Sequence, residues 1–174
     1  MPKDPTPESV TDDDLFGAIT VRLDGREGEV VVEGASVPRV VLRRTTGTDR
    51  ADHVPIGTRD GAVLTLTVDG APAELDLARG RVTRRSYRVD VRYAGRSWRL
   101  VPGSIPSSRL LRGRERLGDF SSGGDGRVFA EWRRDAAPDA TDAAVGYALA
   151  AAFGTGGQPM WMMALELAGD LLPG

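Results

Sequence analysis

Residues 143–154 read AAVGYALAAAFG. From Ala143 to Phe153 there is no charge, no strongly polar side chain and no polar face. A helix that is apolar on every side has to be buried, in a membrane or in protein. A membrane span needs roughly 18 or more apolar residues. This run stops at Gly154 and GTGGQP breaks it, so protein is the expected surrounding. A helix of about 13 residues is about 20 Å long, which is also the length of an ordinary strand of 5–6 residues. The helix therefore matches the height of a small β-barrel or strongly curled sheet. Its alanines and Gly146 let strands approach closely.

The chain upstream supplies such strands. FGAITVRL, EVVVEG, RVVLRRT and AVLTLTV are rich in Val, Ile, Leu and Thr, the residues that favour a pleated, half-buried surface. Asp24-Gly25, Asp60-Gly61 and Asp69-Gly70 mark turns. The clearest local pattern is SYRVDVRYAGRSWRLV. With Ala94-Gly95 at a two-residue turn, Val91 faces Trp98 and Val89 faces Leu100, with Tyr87 and Tyr93 on the same side. Asp90 then faces Arg99 on the opposite side, flanked by Arg88, Arg92 and Ser97. Both faces agree on one register, as pairing requires. A second hairpin is expected around FSSGGDGRVFAEW, where Val128, Ala130 and Trp132 alternate with Phe129, Glu131 and Arg133. Helices come last, one over 140–153 with Asp139 or Thr141 as cap and one over 159–172 opened by Pro159. The expected fold is mainly β: an antiparallel β-barrel or strongly curled sheet enclosing an apolar helix, plus a second short helix.

At 174 residues one domain is the default. Residues 15–174 are assigned to it, behind a disordered acidic lead-in over 1–14, where TDDD at 11–14 reads as a solvated tail. That start has one Lys and no apolar run, unlike a secretory signal. Cysteine is absent, so disulfides and thiolate chemistry are excluded, in keeping with a cytoplasmic location. Arginine outnumbering the single lysine, with abundant Ala and Gly, points to a GC-rich bacterial genome. The net charge of −2 is unevenly spread: 8 basic against 15 acidic residues over 1–78, 15 against 5 over 79–134, and 0 against 5 over 135–174. An Arg-rich middle between acidic ends forms an anion-binding face or pairs across adjacent acidic strands.

The order YRVDVRYAGRSWRLVP, SRLLRGRERLGDF, VFAEW and DAAVGYALAAAF resembles the layout of the tubby C-terminal-like barrels, which include the LURP-one-related proteins and the phospholipid scramblases. The resemblance implies a twelve-stranded barrel threaded by a hydrophobic helix near the C-terminus. It also implies basic side chains on the barrel that meet anionic phosphoinositide head groups. Scramblases carry a longer terminal helix, accessory cysteines and calcium-binding acidic segments that this chain lacks, so scramblase activity is not implied.

A second constellation competes. Arg84 and Arg88 in RRSYR, with Asp119, Ser121 and Gly124 in DFSSGG, are similar to the two signatures of PilZ domains and imply cyclic di-GMP binding. Arg forks grip phosphates bidentately and stack on guanine. PilZ barrels continue with several strands after the second motif, whereas RVFAEWRR alone follows here.

Enzyme signatures are missing. His53 beside Asp52 does not make a triad, which needs three groups converging in space. No G-x-S-x-G elbow, Walker loop or metal-ligand cluster occurs, and no cofactor or metal is expected. Nucleic acid is disfavoured, because Tyr87, Tyr93 and Trp98 fall on the core face opposite the arginines, and the pI is about 5.5. The Met-rich segment 159–172 reads as core packing or a homodimer contact. The expected function is therefore non-enzymatic binding of anionic lipid head groups or small phosphorylated ligands through Arg84, Arg88, Arg92 and Arg99, with a purely structural or protein-binding role as the alternative.

Overall fold

The structure is a computed structural model that describes residues 6–78, 87–103 and 106–155. Among the described residues eleven strands follow one another: β1 (Glu8–Asp13), β2 (Gly17–Asp24), β3 (Glu29–Gly34), β4 (Val37–Arg44), β5 (Leu64–Val68), β6 (Ala71–Leu77), β7 (Val89–Tyr93), β8 (Arg96–Pro102), β9 (Ser107–Arg112), β10 (Glu115–Ser122) and β11 (Val128–Trp132). Each strand pairs with its sequence neighbour to form a single meander from β1 to β11. All these pairings are antiparallel. The sheet curls until its edges meet, where the Thr11 hydroxyl donates to the Val128 carbonyl at 2.7 Å. The result is a nearly closed barrel.

Helix α1 (Ala140–Phe153) runs through it, with every residue from Asp142 to Ala152 buried. The inward side chains of the strands supply its surroundings: Ile19 and Val21, Val30 and Val32, Val40 and Leu42, Leu64 and Leu66, Val89 and Val91, Trp98 and Leu100 are all buried. Asp139 and Asp142 form a reciprocal cap at the helix start, which satisfies two of the N–H groups that a helix end leaves open. Gly146 marks the closest approach, since a Cβ there would lie 2.5 Å from Phe120 Cζ and 2.9 Å from Leu110 Cδ2.

The hairpin register read from Ala94-Gly95 is the observed one, with Val91 opposite Trp98, Val89 opposite Leu100 and Asp90 opposite Arg99. Positive φ at both turn residues, 51° at Ala94 and 76° at Gly95, gives the turn the hand that matches strand twist. In β11, Val128 is buried, Ala130 and Trp132 half-buried, and Phe129 and Glu131 exposed, as the alternation predicts.

One expectation needs correction. The acidic lead-in over 1–14 is not disordered throughout, because residues 8–13 form β1 and pair with β2. Asp13 is 5% exposed. Its carboxylate accepts from the backbone N–H groups of Leu15 and Phe16, from Trp132 Nε1 and from the Tyr147 hydroxyl. The second helix expected over 159–172, and the dimer contact placed on it, lie outside the described residues.

The meander sorts its connections by end. Ala94-Gly95, Asp69-Gly70 and Gly113-Arg114 are two-residue links at the end where α1 begins. There Arg96 pairs with Asp139 and Arg112 with Asp142 at 2.6 Å. The longer β4–β5 connection, 45–63, lies where α1 finishes. There Ile56 N–H donates to the Ala152 carbonyl at 3.0 Å.

Candidate functional site

The arginines cluster on the outer face of β7–β10. Strand parity puts them there, because residues alternate between core and solvent and the buried Val89, Val91, Trp98 and Leu100 fix which face is which. Along β8, Arg99 lies beside Asp90 on one side and Leu111 on the other. Val101 lies beside Arg109, which in turn faces Asp119 of β10. Arg88, one residue before the Val89–Leu100 pair, comes level with Val101 on the other flank. Arg88, Arg99 and Arg109 therefore surround Val101.

Their charges are only partly matched. Arg99 forks onto Asp90, with Nε donating at 2.6 Å and Nη2 at 3.3 Å. The bond to Asp90 and its charge push the Arg99 guanidinium further up, outweighing the opposing effect of desolvation. Arg88 Nε reaches the same carboxylate at 3.2 Å, so two guanidiniums share one acid. Arg92 touches Glu74 at 3.8 Å, with both side chains more than three-quarters exposed. An exposed pair of that kind contributes little. Asp119 is occupied by Arg116, whose Nη2 contacts both carboxylate oxygens at 2.7 and 2.6 Å. Arg109 forms no ion pair among the described residues, and its Nε is a buried donor without an acceptor. Cross-strand pairing and an excess of cations thus coexist on one face.

Of the four arginines expected to bind anions, Arg88, Arg92 and Arg99 share this face and Arg84 lies outside the described residues. Parity along one hairpin did not reveal Arg109, because its place depends on the pairing of β8 with β9 across a loop. For the cyclic-dinucleotide constellation, Arg88 just before β7 and Asp119 on β10 are three strand spacings apart, about 14 Å, and Asp119 is engaged by Arg116. Ser121 lies on β10, and Gly124 follows in the β10–β11 loop, 3.7 Å from Pro55 in the sense that a Cβ there would meet it. His53 is exposed and is not without an interaction partner. Among the described residues no three His, Cys, Asp or Glu side chains converge as a metal site, and no helix is long and apolar enough to cross a membrane.

Compared with family models, with curated proteins and with solved structures, the chain matches none.

Proposed function

We propose that this barrel is a binding domain that receives anionic groups, either small phosphorylated ligands or the head groups of anionic lipids, on the outer β7–β9 face. The observation that carries this reading is the cation excess around Val101: Arg88 and Arg99 share Asp90, and Arg109 has no carboxylate among the described residues. Guanidinium forks bind phosphate oxygens in pairs. Half-buried Val101 and Leu111 give the site an apolar floor. The threaded helix supports reading the chain as a distant relative of the tubby-like and LURP-one-related barrels, with no catalytic step and a bacterial, cytoplasmic setting.

Co-sedimentation with anionic and neutral vesicles at low and moderate salt tests the lipid source, and melting with inorganic tripolyphosphate tests the soluble one. The protein is expected to sediment with anionic vesicles, less so as salt rises. Replacing Arg109 with Ala should weaken that partition about fivefold, the worth of one arginine near a charged surface. If tripolyphosphate stabilises the protein and vesicles do not bind it, the ligand is a soluble phosphate. Equal sedimentation with both vesicle types and no response to tripolyphosphate would refute anion binding by this face.

A further inference from the structure

At the loop end of the barrel, two guanidiniums, Arg44 buried and Arg59 half-buried, lie without a carboxylate among the described residues. Arg44 is 9% exposed. It donates through Nη1 to the Ile56 carbonyl at 3.1 Å and through Nη2 to the Arg26 carbonyl at 2.8 Å. Arg59 lies against two rings, 5.3 Å from the centroid of Tyr87 and 5.6 Å from that of Phe153. One of its Nη2 hydrogens goes to the Tyr87 carbonyl at 2.9 Å. Among the described residues neither arginine forms an ion pair. The nearest acid in sequence, Asp60, spends a carboxylate oxygen on the Ala62 N–H. Burial pushes Arg59 down to about 10, the direction expected of a cation that lacks an opposite charge.

The end of α1 is a partial answer. Phe153 is its last residue, and a helix C-terminus carries about half a negative charge. Two cations, Arg44 buried and Arg59 half-buried, exceed that, and two of the last carbonyls already have donors, Gly154 N–H on Ala150 and Ile56 N–H on Ala152. A guanidinium has five N–H donors in a fixed fork, and Arg59 uses one on the backbone. Tyr87 and Phe153 hold its plane, so little is lost in orienting it for an oxyanion.

We infer that Arg59 is the receptor of a second anion site, at the loop end of the barrel, that takes one compact oxyanion: the carboxylate or phosphate end of a small ligand. This site stands on different residues from the β7–β9 face and does not depend on it. The test is thermal melting in sodium phosphate or sodium acetate against sodium chloride at matched ionic strength. Wild type, Arg59→Met, Arg59→Lys and the double variant Arg88→Ala/Arg109→Ala are compared. Filling the site several-fold above its dissociation constant should raise the wild-type Tm by about 2–4 °C over chloride. A rise with phosphate alone identifies a phosphate receptor, and one with acetate alone a carboxylate receptor. The double variant should keep the rise, Arg59→Met should lose it, and Arg59→Lys should keep a smaller one, since an ammonium retains the charge without the fork. No anion-specific rise in wild type overturns the site, as does an undiminished rise in Arg59→Met. Should Arg59→Met fail to fold, an undiminished rise in Arg59→Lys overturns it. A rise lost only in the double variant assigns the anion to the β7–β9 face instead.

Discussion

Two aspartates pin the helix to the barrel wall. Asp142 is fully buried and accepts from Trp98 Nε1 at 2.7 Å and Arg112 Nη1 at 2.6 Å, while also closing the helix cap through the Asp139 N–H. Asp13 joins β1 to Trp132 of β11 and to Tyr147 of α1. Buried carboxylates are tolerated when each lone pair meets a donor, and removing a donor costs more than the bond's net worth. Tyr147→Phe should therefore lower stability by about 1–2 kcal/mol at neutral pH. The pH dependence follows from the hydroxyl: burial raises the Tyr147 pKa, and the bond to Asp13 and the nearby acidic charge raise it further. The unfolded tyrosine ionises near its ordinary value of about 10. Its contribution is thus fully present below pH 10 and is lost as pH climbs above it. Denaturant melts from pH 8 to 11 should show wild type losing part of its advantage over Tyr147→Phe, and parallel profiles would show that the hydroxyl contributes nothing. The acidic run at 11–14 reads as a solvated tail because nothing local marks Asp13 as different from its neighbours. Its partner Tyr147 is 134 residues away, beyond the reach of any local pattern.

Helix α1 inverts the usual logic of an amphipathic element, since strands contact it on several sides. Gly146 is where this shows most. In an exposed helix, Gly→Ala gains about 1 kcal/mol. Here the added methyl would meet Phe120, whose ring is held edge-on by Trp132 at 5.4 Å and Tyr147 at 5.5 Å. Overpacking of this kind costs about 1–3 kcal/mol, so Gly146→Ala should lower Tm despite its better propensity. An unchanged or higher Tm would show that the wall yields easily. The helix and the β7–β8 hairpin were legible in the sequence because their determinants are local: a cap at Asp139, a stop at Gly154, a two-residue turn and alternating side chains. The bulge between Arg116 and Gly118 of β10 was not. It depends on Gly118 lying so close to β11 that a Cβ there would come 2.6 Å from the Glu131 carbonyl, a contact between two strands rather than a property of either.

At the scale of the whole molecule, the antiparallel meander leaves β1 parallel to β11, and the seam is held by Thr11 and Asp13 side chains. Charge follows the helix axis. Buried Asp142 sits at the N-terminal end and Arg44 and Arg59 at the C-terminal end, each opposing the macrodipole of α1. This layout was invisible in the net charge of the segments, because its members come from β4, the 45–63 loop and the helix itself. The Arg-rich face was legible as a stripe, but its pairing was not, since Asp90 serves two arginines while Arg109 has none among the described residues. All of this rests on the helix being the core of the barrel rather than a late addition to it. Native-state hydrogen exchange of the α1 amides measures that directly. The amides of Val145–Ala151 should exchange only through global unfolding, with the same free energy and denaturant dependence as the most protected amides of β3 and β4. Exchange of the helix through a smaller opening, while the strands stay protected, would mean that the barrel stands without it and would contradict a fold built around its own helix.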